Sequence, residues 1–262
     1  MKDRPILITN PPFFSNWVDQ WIPPLANKLI PYAAQISWLT PNIVSFSSFV
    51  MYSLASLLLF VNIPYHLAIS LVLFPLSYIA DCMDGQLART TRRFSPIGDY
   101  LDKTLDVLKI FIITASLSWA VFSQTQNVLY IFLGFAACFF FCYRYYIKHE
   151  ILYGQYAKDH TYLDRSYEQL ISLYKSVGDY RKNLAKTFTG KLYVFWLAHR
   201  TIFYVDEGEF IFFTCLGIIF GRLDLTLWIL GISQTVWGLY RIVQRGAQLK
   251  NSPEIFLDPV KR

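Results

Sequence analysis

The chain has 262 residues, 54% of them hydrophobic and 18% aromatic, with a mean hydropathy of +0.33, a level that ordinary soluble domains seldom reach and that points to an integral membrane protein. Its net charge of +6, from 24 Lys and Arg against 18 Asp and Glu, is segregated rather than interspersed, so it reads as positive-inside bias and argues against a nucleic-acid partner. Four cysteines, Cys82, Cys138, Cys142 and Cys215, lie in or beside apolar runs, as packed thiols do, and the Cys138–Cys142 pair lacks the second pair that a zinc site needs.

Residues 1 to 14 form an irregular leader broken by Pro5, Pro11 and Pro12, polar at its start and unlike a cleaved signal peptide. Residues 15 to 36 are rich in Trp, Tyr and Leu but interrupted by Pro23, Pro24 and Pro31, which suits a segment lying in the membrane interface. Thr40 is a candidate N-cap with Pro41 at the first helical position, opening a first span over about Asn42 to Val61. A turn at Ile63-Pro64-Tyr65 leads to span two, His66 to about Ala80. Span three runs from Gly98 to about Phe122 and span four from Val128 to Tyr143, each near the roughly 20 residues of a bilayer crossing.

After Arg144 the chain becomes polar, charged and tyrosine-rich up to Gly190, and then aromatic and basic to Val205. We expect an extramembrane insertion here. The acidic stretch Asp206-Glu207-Gly208-Glu209 reads as a solvated helix start, where carboxylates suit the helix dipole. Phe210 to Phe220 is short for a span and Leu225 to Val243 is the last one. The expected fold is therefore an all-α integral membrane protein of about six transmembrane helices, with five plus a re-entrant segment as the alternative. Its parts are a leader and interfacial segment (1–40), four spans (41–145), a cytoplasmic insertion (146–207), two spans (208–245) and a cytoplasmic tail (246–262). Placing both termini and the insertion on the cytoplasmic side leaves only Arg222 among basic loop residues on the other.

The chemistry concentrates between residues 81 and 106. On helices, Asp81, Asp84, Gly85 and Ala88 share one face, and Gly98, Asp102 and Asp106 form another stripe. Four carboxylates beside a bilayer repel one another unless cations hold them, and hard oxygen donors suit Mg²⁺ or Mn²⁺. Asp81, Asp84 and Asp102, with Asp106 beside them, are the candidate ligands of a pair of ions. Gly85, Ala88 and Gly98 lack bulk, so a ligand can approach the backbone closely, and Arg89 offers a planar fork to phosphate oxygens.

These residues fill every position of D-x2-D-G-x2-A-R-x8-G-x3-D-x3-D: Asp81, Asp84, Gly85, Ala88, Arg89, Gly98, Asp102 and Asp106. The pattern resembles the signature of the CDP-alcohol phosphotransferase family. Eight fixed positions would arise by chance on the order of once in 10¹⁰ windows, given typical residue frequencies. The resemblance implies an enzyme of phospholipid synthesis that moves a phosphatidyl or phospho-alcohol group from a CDP-linked donor to a hydroxyl acceptor, releasing CMP. It also implies the last motif carboxylate, Asp106, as the base that takes the acceptor's proton, and Asn42 as a donor-binding residue at a helix start where relatives carry a Pro-Asn pair followed by Thr; here Ser45 stands in place of the Thr. A homodimer is compatible with it.

CDP-diacylglycerol is the favoured donor, because the chain is compact. The alternative within the family is a CDP-choline or CDP-ethanolamine donor acting on diacylglycerol. From another class, a cation-coupled membrane carrier would also hold intramembrane carboxylates, but spread through the bilayer depth rather than gathered at one end. Arg144 and Arg200 are candidate contacts for an acceptor phosphate, with positive-inside bias as their plainer explanation. His149, His160 and His199 show no ligand spacing.

Overall fold

A chain this apolar has to satisfy its backbone hydrogen bonds internally, and a helix does so within one segment. The computed structural model describes residues 18, 21–93, 96–158, 186–199 and 205–251, and among these there is no strand. In chain order the helices are α1 (Ile22–Ala33), α2 (Pro41–Leu57), α3 (His66–Thr91), α4 (Pro96–Thr125), α5 (Leu129–Lys158), α6 (Phe188–His199), α7 (Glu207–Ile219) and α8 (Leu223–Asn251).

Three of them are long and apolar enough to cross a bilayer: His66–Thr91, Tyr100–Thr125 and Leu129–Ile151. At 1.5 Å per residue, the 13 residues of α7 reach only ~20 Å and the 17 of α2 ~25 Å, against a hydrocarbon core of ~30 Å.

The amphipathic α1 buries Ala26, Ile30 and Ala33 while Trp21, Leu25, Leu29 and Tyr32 stay exposed. Its buried stripe meets Val44 of α2 and Leu87 of α3, so it braces the helix that carries the first half of the motif. The start of α2 follows its local chemistry. Thr40 Oγ1 accepts from the Ile43 amide at 3.3 Å with Pro41 in the first turn, satisfying one of the orphan donors of a helix end.

From there α2 packs along α3 more extensively than any other pair of the described helices. The seam contains the small buried residues Ser48, Ala55, Ser56 and Ser70, and Ser70 Oγ donates across it to the Ala55 carbonyl at 2.9 Å. Small residues of this kind allow close approach where lipid leaves no hydrophobic drive between helices.

Span two and the first half of the motif are one helix. α3 starts after Tyr65 and ends at Arg92, both left-handed with φ of 61° and 55°, and the Arg93 amide closes the end on the Ala88 carbonyl at 3.0 Å, as helix C-caps do. α5 likewise runs on to Lys158, past the change of composition at Arg144. That residue is a buried clamp rather than a surface charge: its Nη2 donates to the Val205 carbonyl at 3.0 Å and lies 3.7 Å from Asp206 Oδ1. Gln234 Nε2 of α8 donates to the same carbonyl at 2.5 Å. The chain entering α7 is therefore tied to both α5 and α8.

The acidic stretch at the start of α7 is not solvated. Glu209 is 0% exposed because its carboxylate accepts two backbone amides, Val18 at 3.0 Å through Oε1 and Asp206 at 3.1 Å through Oε2. The second bond is half of a capping box. The core beneath joins Tyr52 of α2, Phe74 of α3, Ile113 of α4, Phe141 of α5, Phe210 of α7 and Leu230 of α8.

Candidate active site

Where the C-terminal end of α3 meets the N-terminal ends of α2 and α4, the chain forms a half-open cavity of about 340 Å³. α2 contributes Pro41, Asn42 and Ser45; α3 and the residue pair after it contribute Asp84, Gly85, Ala88, Arg89 and Arg93; α4 contributes Gly98 and Asp102. The helical spacing explains the set. Asn42 and Ser45 lie one turn apart, as do Asp84 and Ala88, and as do Gly98 and Asp102, so each helix turns one face to the same space. Arg93 was not among the residues singled out from the sequence, and it enters because the left-handed turn at Arg92 swings it back toward α1 and α2, where its Nη1 donates to the Ser37 carbonyl at 3.3 Å.

Asp84 is held from two sides. Ser45 Oγ lies 2.5 Å from its Oδ2, and the Gly85 amide donates to its Oδ1. With only 8% of its surface exposed, a carboxylate here needs such partners or a cation. Arg89 folds over Gly85: a Cβ built on Gly85 would lie 3.4 Å from Nη1 and 3.6 Å from Nη2. Its Nε is buried with no hydrogen-bond partner among the described residues. A planar cation at the wall of a cavity suits phosphate oxygens.

The other two motif carboxylates sit in a neighbouring cluster. Oxygens of Asp81, Asp106 and Glu207 lie within 4.8 Å of one another, and the ammonium of Lys109, whose side chain is 1% exposed, stands among them. It donates to Asp81 Oδ1, to Asp106 Oδ1 at 3.3 Å and to Glu207 Oε1 at 3.0 Å. Ser48 Oγ, one turn from Ser45 on α2, adds a bond to Asp81 Oδ1 at 3.3 Å.

The two groups are one electrostatic unit, since Asp84 and Asp106 each feel the charges of both Asp81 and Asp102. Four motif carboxylates and Glu207 thus stand against three cations, Lys109 in the cluster and Arg89 and Arg93 at the cavity wall. The bonds among described residues leave Oδ2 of Asp81 and Oδ2 of Asp106 unengaged. An excess of anionic, hard oxygens with free lone pairs fits Mg²⁺ or Mn²⁺.

Glu207 is not at the solvated helix start that the sequence suggests: its side chain is 13% exposed and faces Lys109. The other candidates lie apart. The His149 ring is 6.2 Å from that of Tyr145, none of the four cysteines is in a disulfide, and Arg200, His160 and the side chain of His199 fall outside the described residues.

A family model described as CDP-alcohol phosphatidyltransferase matches residues 38–237. No curated protein sequence matches the chain. The matched range begins just before the capped start of α2 and takes in both halves of the motif, the buried cluster and the whole of α7. With the cavity and the motif coinciding in this way, the chain belongs to the CDP-alcohol phosphatidyltransferase family, whose members are transferases of substituted phosphate groups.

Proposed function

We propose that the protein transfers a phosphatidyl group from CDP-diacylglycerol to a small hydroxyl acceptor, with release of CMP, in a metal-dependent reaction at the cytoplasmic end of its spans. One observation carries this reading: six of the eight motif positions, Asp84, Gly85, Ala88, Arg89, Gly98 and Asp102, line one cavity. That cavity combines a phosphate-binding cation, small residues and carboxylates. Asn42, Ser45 and Arg93 complete its wall.

In this reading Arg89 and Arg93 bind the pyrophosphate of the donor, and Gly85, Ala88 and Gly98 let it approach the helix backbones. Asn42 contacts the nucleotide. Asp81, Asp84 and Asp102, with Asp106 beside them, hold one or two Mg²⁺ or Mn²⁺ ions. Such ions, when bound, neutralise the charge that develops on the leaving phosphate. The acceptor oxygen forms a bond to the phosphorus that carries diacylglycerol, the bond from that phosphorus to the CMP oxygen breaks, and the electron pair leaves with CMP. Asp106 accepts the acceptor's proton.

Ile43 and Phe46 on α2 and Ile97 and Tyr100 on α4 alternate in sequence with the cavity residues and are exposed, which supports a donor whose acyl chains lie in the bilayer beside the site. A CDP-choline or CDP-ethanolamine donor would place the lipid on the acceptor instead. The deciding experiment incubates purified protein with labelled CDP-diacylglycerol or CDP-choline, Mn²⁺ and a panel of acceptors, and measures CMP. Release from CDP-choline with diacylglycerol alone would overturn the donor assignment; release from neither donor would overturn the reaction.

A further inference from the structure

Lys109 lies one turn beyond the last motif carboxylate, 1% exposed, and a lysine ammonium carries three N–H donors. All three are spent on carboxylate oxygens, those of Asp81, Asp106 and Glu207. The Tyr52 ring, 6.0 Å from Nζ, lies within cation–π range. A lysine so saturated has no donor left for a substrate.

The geometry also explains why Glu207 reaches it from a different helix. Glu207 opens α7, where the helix dipole favours a carboxylate. The next residue, Gly208, is pressed against α3 so closely that a Cβ there would meet Tyr78 Oη at 2.8 Å. Only a glycine lets the first turn of α7 dock at that distance, and docking is what brings Glu207 Oε1 to 3.0 Å from the lysine.

We infer that Lys109 and Glu207 are positioning residues: the Lys109 ammonium is the fixed cation of the Asp81–Asp106–Glu207 triad, and Glu207 holds that lysine rather than a metal ion. The lysine occupies Oδ1 of both motif carboxylates, which leaves Oδ2 of each without a bond among the described residues. Glu207 anchors the ammonium to α7, so that α3, α4 and α7 are pinned at one point. This rests on the metal-dependent reading above, and it adds two residues outside the motif to the machinery of that site.

The test counts Mn²⁺ on the full-length protein in detergent, by calorimetry and electron paramagnetic resonance, for wild type, Glu207→Gln, Lys109→Met and Lys109→Arg, with CMP release measured in parallel. Glu207→Gln is isosteric and should retain the fold. It should keep the wild-type number of Mn²⁺ per chain while Mn²⁺ affinity and kcat fall by about 10- to 100-fold, the usual effect of losing a partner that orients a ligand, with donor KM little changed.

Lys109→Met leaves three carboxylates without their cation and should gain one Mn²⁺ per chain, whereas Lys109→Arg should keep the wild-type count. Loss of one Mn²⁺ in Glu207→Gln would make Glu207 a metal ligand and overturn the inference. Wild-type affinity and rate in Glu207→Gln would overturn it as well. If wild type binds Mn²⁺ but releases CMP from no donor, it is the proposed reaction that fails, and the Mn²⁺ counts still decide the role of Lys109.

Discussion

Ser45 of α2 and Asp84 of α3 share a hydrogen bond of 2.5 Å across 39 positions of sequence. The hydroxyl supplies one of the partners that let a nearly buried carboxylate keep its orientation toward the cavity. Removing it in Ser45→Ala leaves Asp84 Oδ2 unheld, and hydrogen bonds to charged groups are worth about 1.5–3 kcal/mol. Mn²⁺ affinity measured in the presence of CDP should fall by roughly 10-fold or more, and Ser45→Thr, which keeps the hydroxyl, should restore most of it. Equal affinities for wild type and Ser45→Ala would show that Asp84 needs no partner from α2.

Asp84 itself faces the cavity, so its charge, and not only its shape, is predicted to bind the ion and the donor together. Asp84→Asn preserves size but removes the anion. Calorimetric titration of Mn²⁺ with a CDP ligand present should show both affinities reduced in parallel. An unchanged isotherm would remove Asp84 from the metal site.

The signature could be read from the chain because its chemistry is local to two helix ends. Asp84 and Ala88, or Gly98 and Asp102, meet through helical periodicity alone, and Thr40 with Pro41 announces a helix start by cap chemistry. What could not be read is tertiary. Ser48 reaches Asp81 across 33 positions and Lys109 reaches Glu207 across 98, and neither pairing leaves a periodic trace. Glu209 looked solvated because its second partner, the Val18 amide, is 191 positions away. Hydropathy overstates the first span, since the apolar turn residues Leu58, Leu59 and Phe60 extend the run beyond the end of α2, and it understates α3 and α5, which continue as helix past their apolar stretches.

Topology is open to a direct check. On the six-span arrangement expected from the sequence, with the motif at the cytoplasmic end, residues 146–207 share that side and the α7–α8 turn faces the opposite one. In a background lacking the four native cysteines, Phe220→Cys, at an exposed position beside that turn, should react with an impermeant thiol reagent applied to intact cells. Lys186→Cys, also exposed, should react only after permeabilisation. Labelling of Lys186→Cys in intact cells would invert the arrangement.

Packing between α5 and α8 depends on glycines facing bulky side chains. A Cβ on Gly238 would lie 2.5 Å from Phe140 Cδ1, and one on Gly231 would lie 2.9 Å from Leu133 Cδ2 and 3.1 Å from the Leu133 carbonyl oxygen. Gly238→Ala should therefore destabilise the protein by about 1–3 kcal/mol through overpacking, lowering the unfolding temperature in detergent. Gly246→Ala on the same helix meets nothing within 4 Å and should be neutral or stabilising by up to about 1 kcal/mol through helix propensity. Equal unfolding temperatures for the two variants would show that this seam yields easily.

The last prediction separates Asp106 from the carboxylates that line the cavity. Asp106 lies one turn beyond Asp102 on α4 and is half-buried where Asp102 is exposed; if α4 runs inward from the cytoplasmic face, it stands one turn deeper, where an acceptor would meet the phosphorus of a lipid donor. Its Oδ1 is already held by Lys109 at 3.3 Å, which leaves Oδ2 to take a proton. In Asp106→Asn the lysine keeps its bonds to Asp81 and Glu207, so the cluster should stay assembled. Mn²⁺ and donor binding should then be largely retained while the chemical step slows by about 10² to 10⁴, the usual contribution of a positioned base. If Asp106 is chiefly a metal ligand, its loss should resemble that of Asp84. Donor affinity and single-turnover rate measured side by side for Asp106→Asn and Asp84→Asn distinguish the two. The base assignment fails if Asp106→Asn loses donor affinity as severely as Asp84→Asn, or if its single-turnover rate matches wild type.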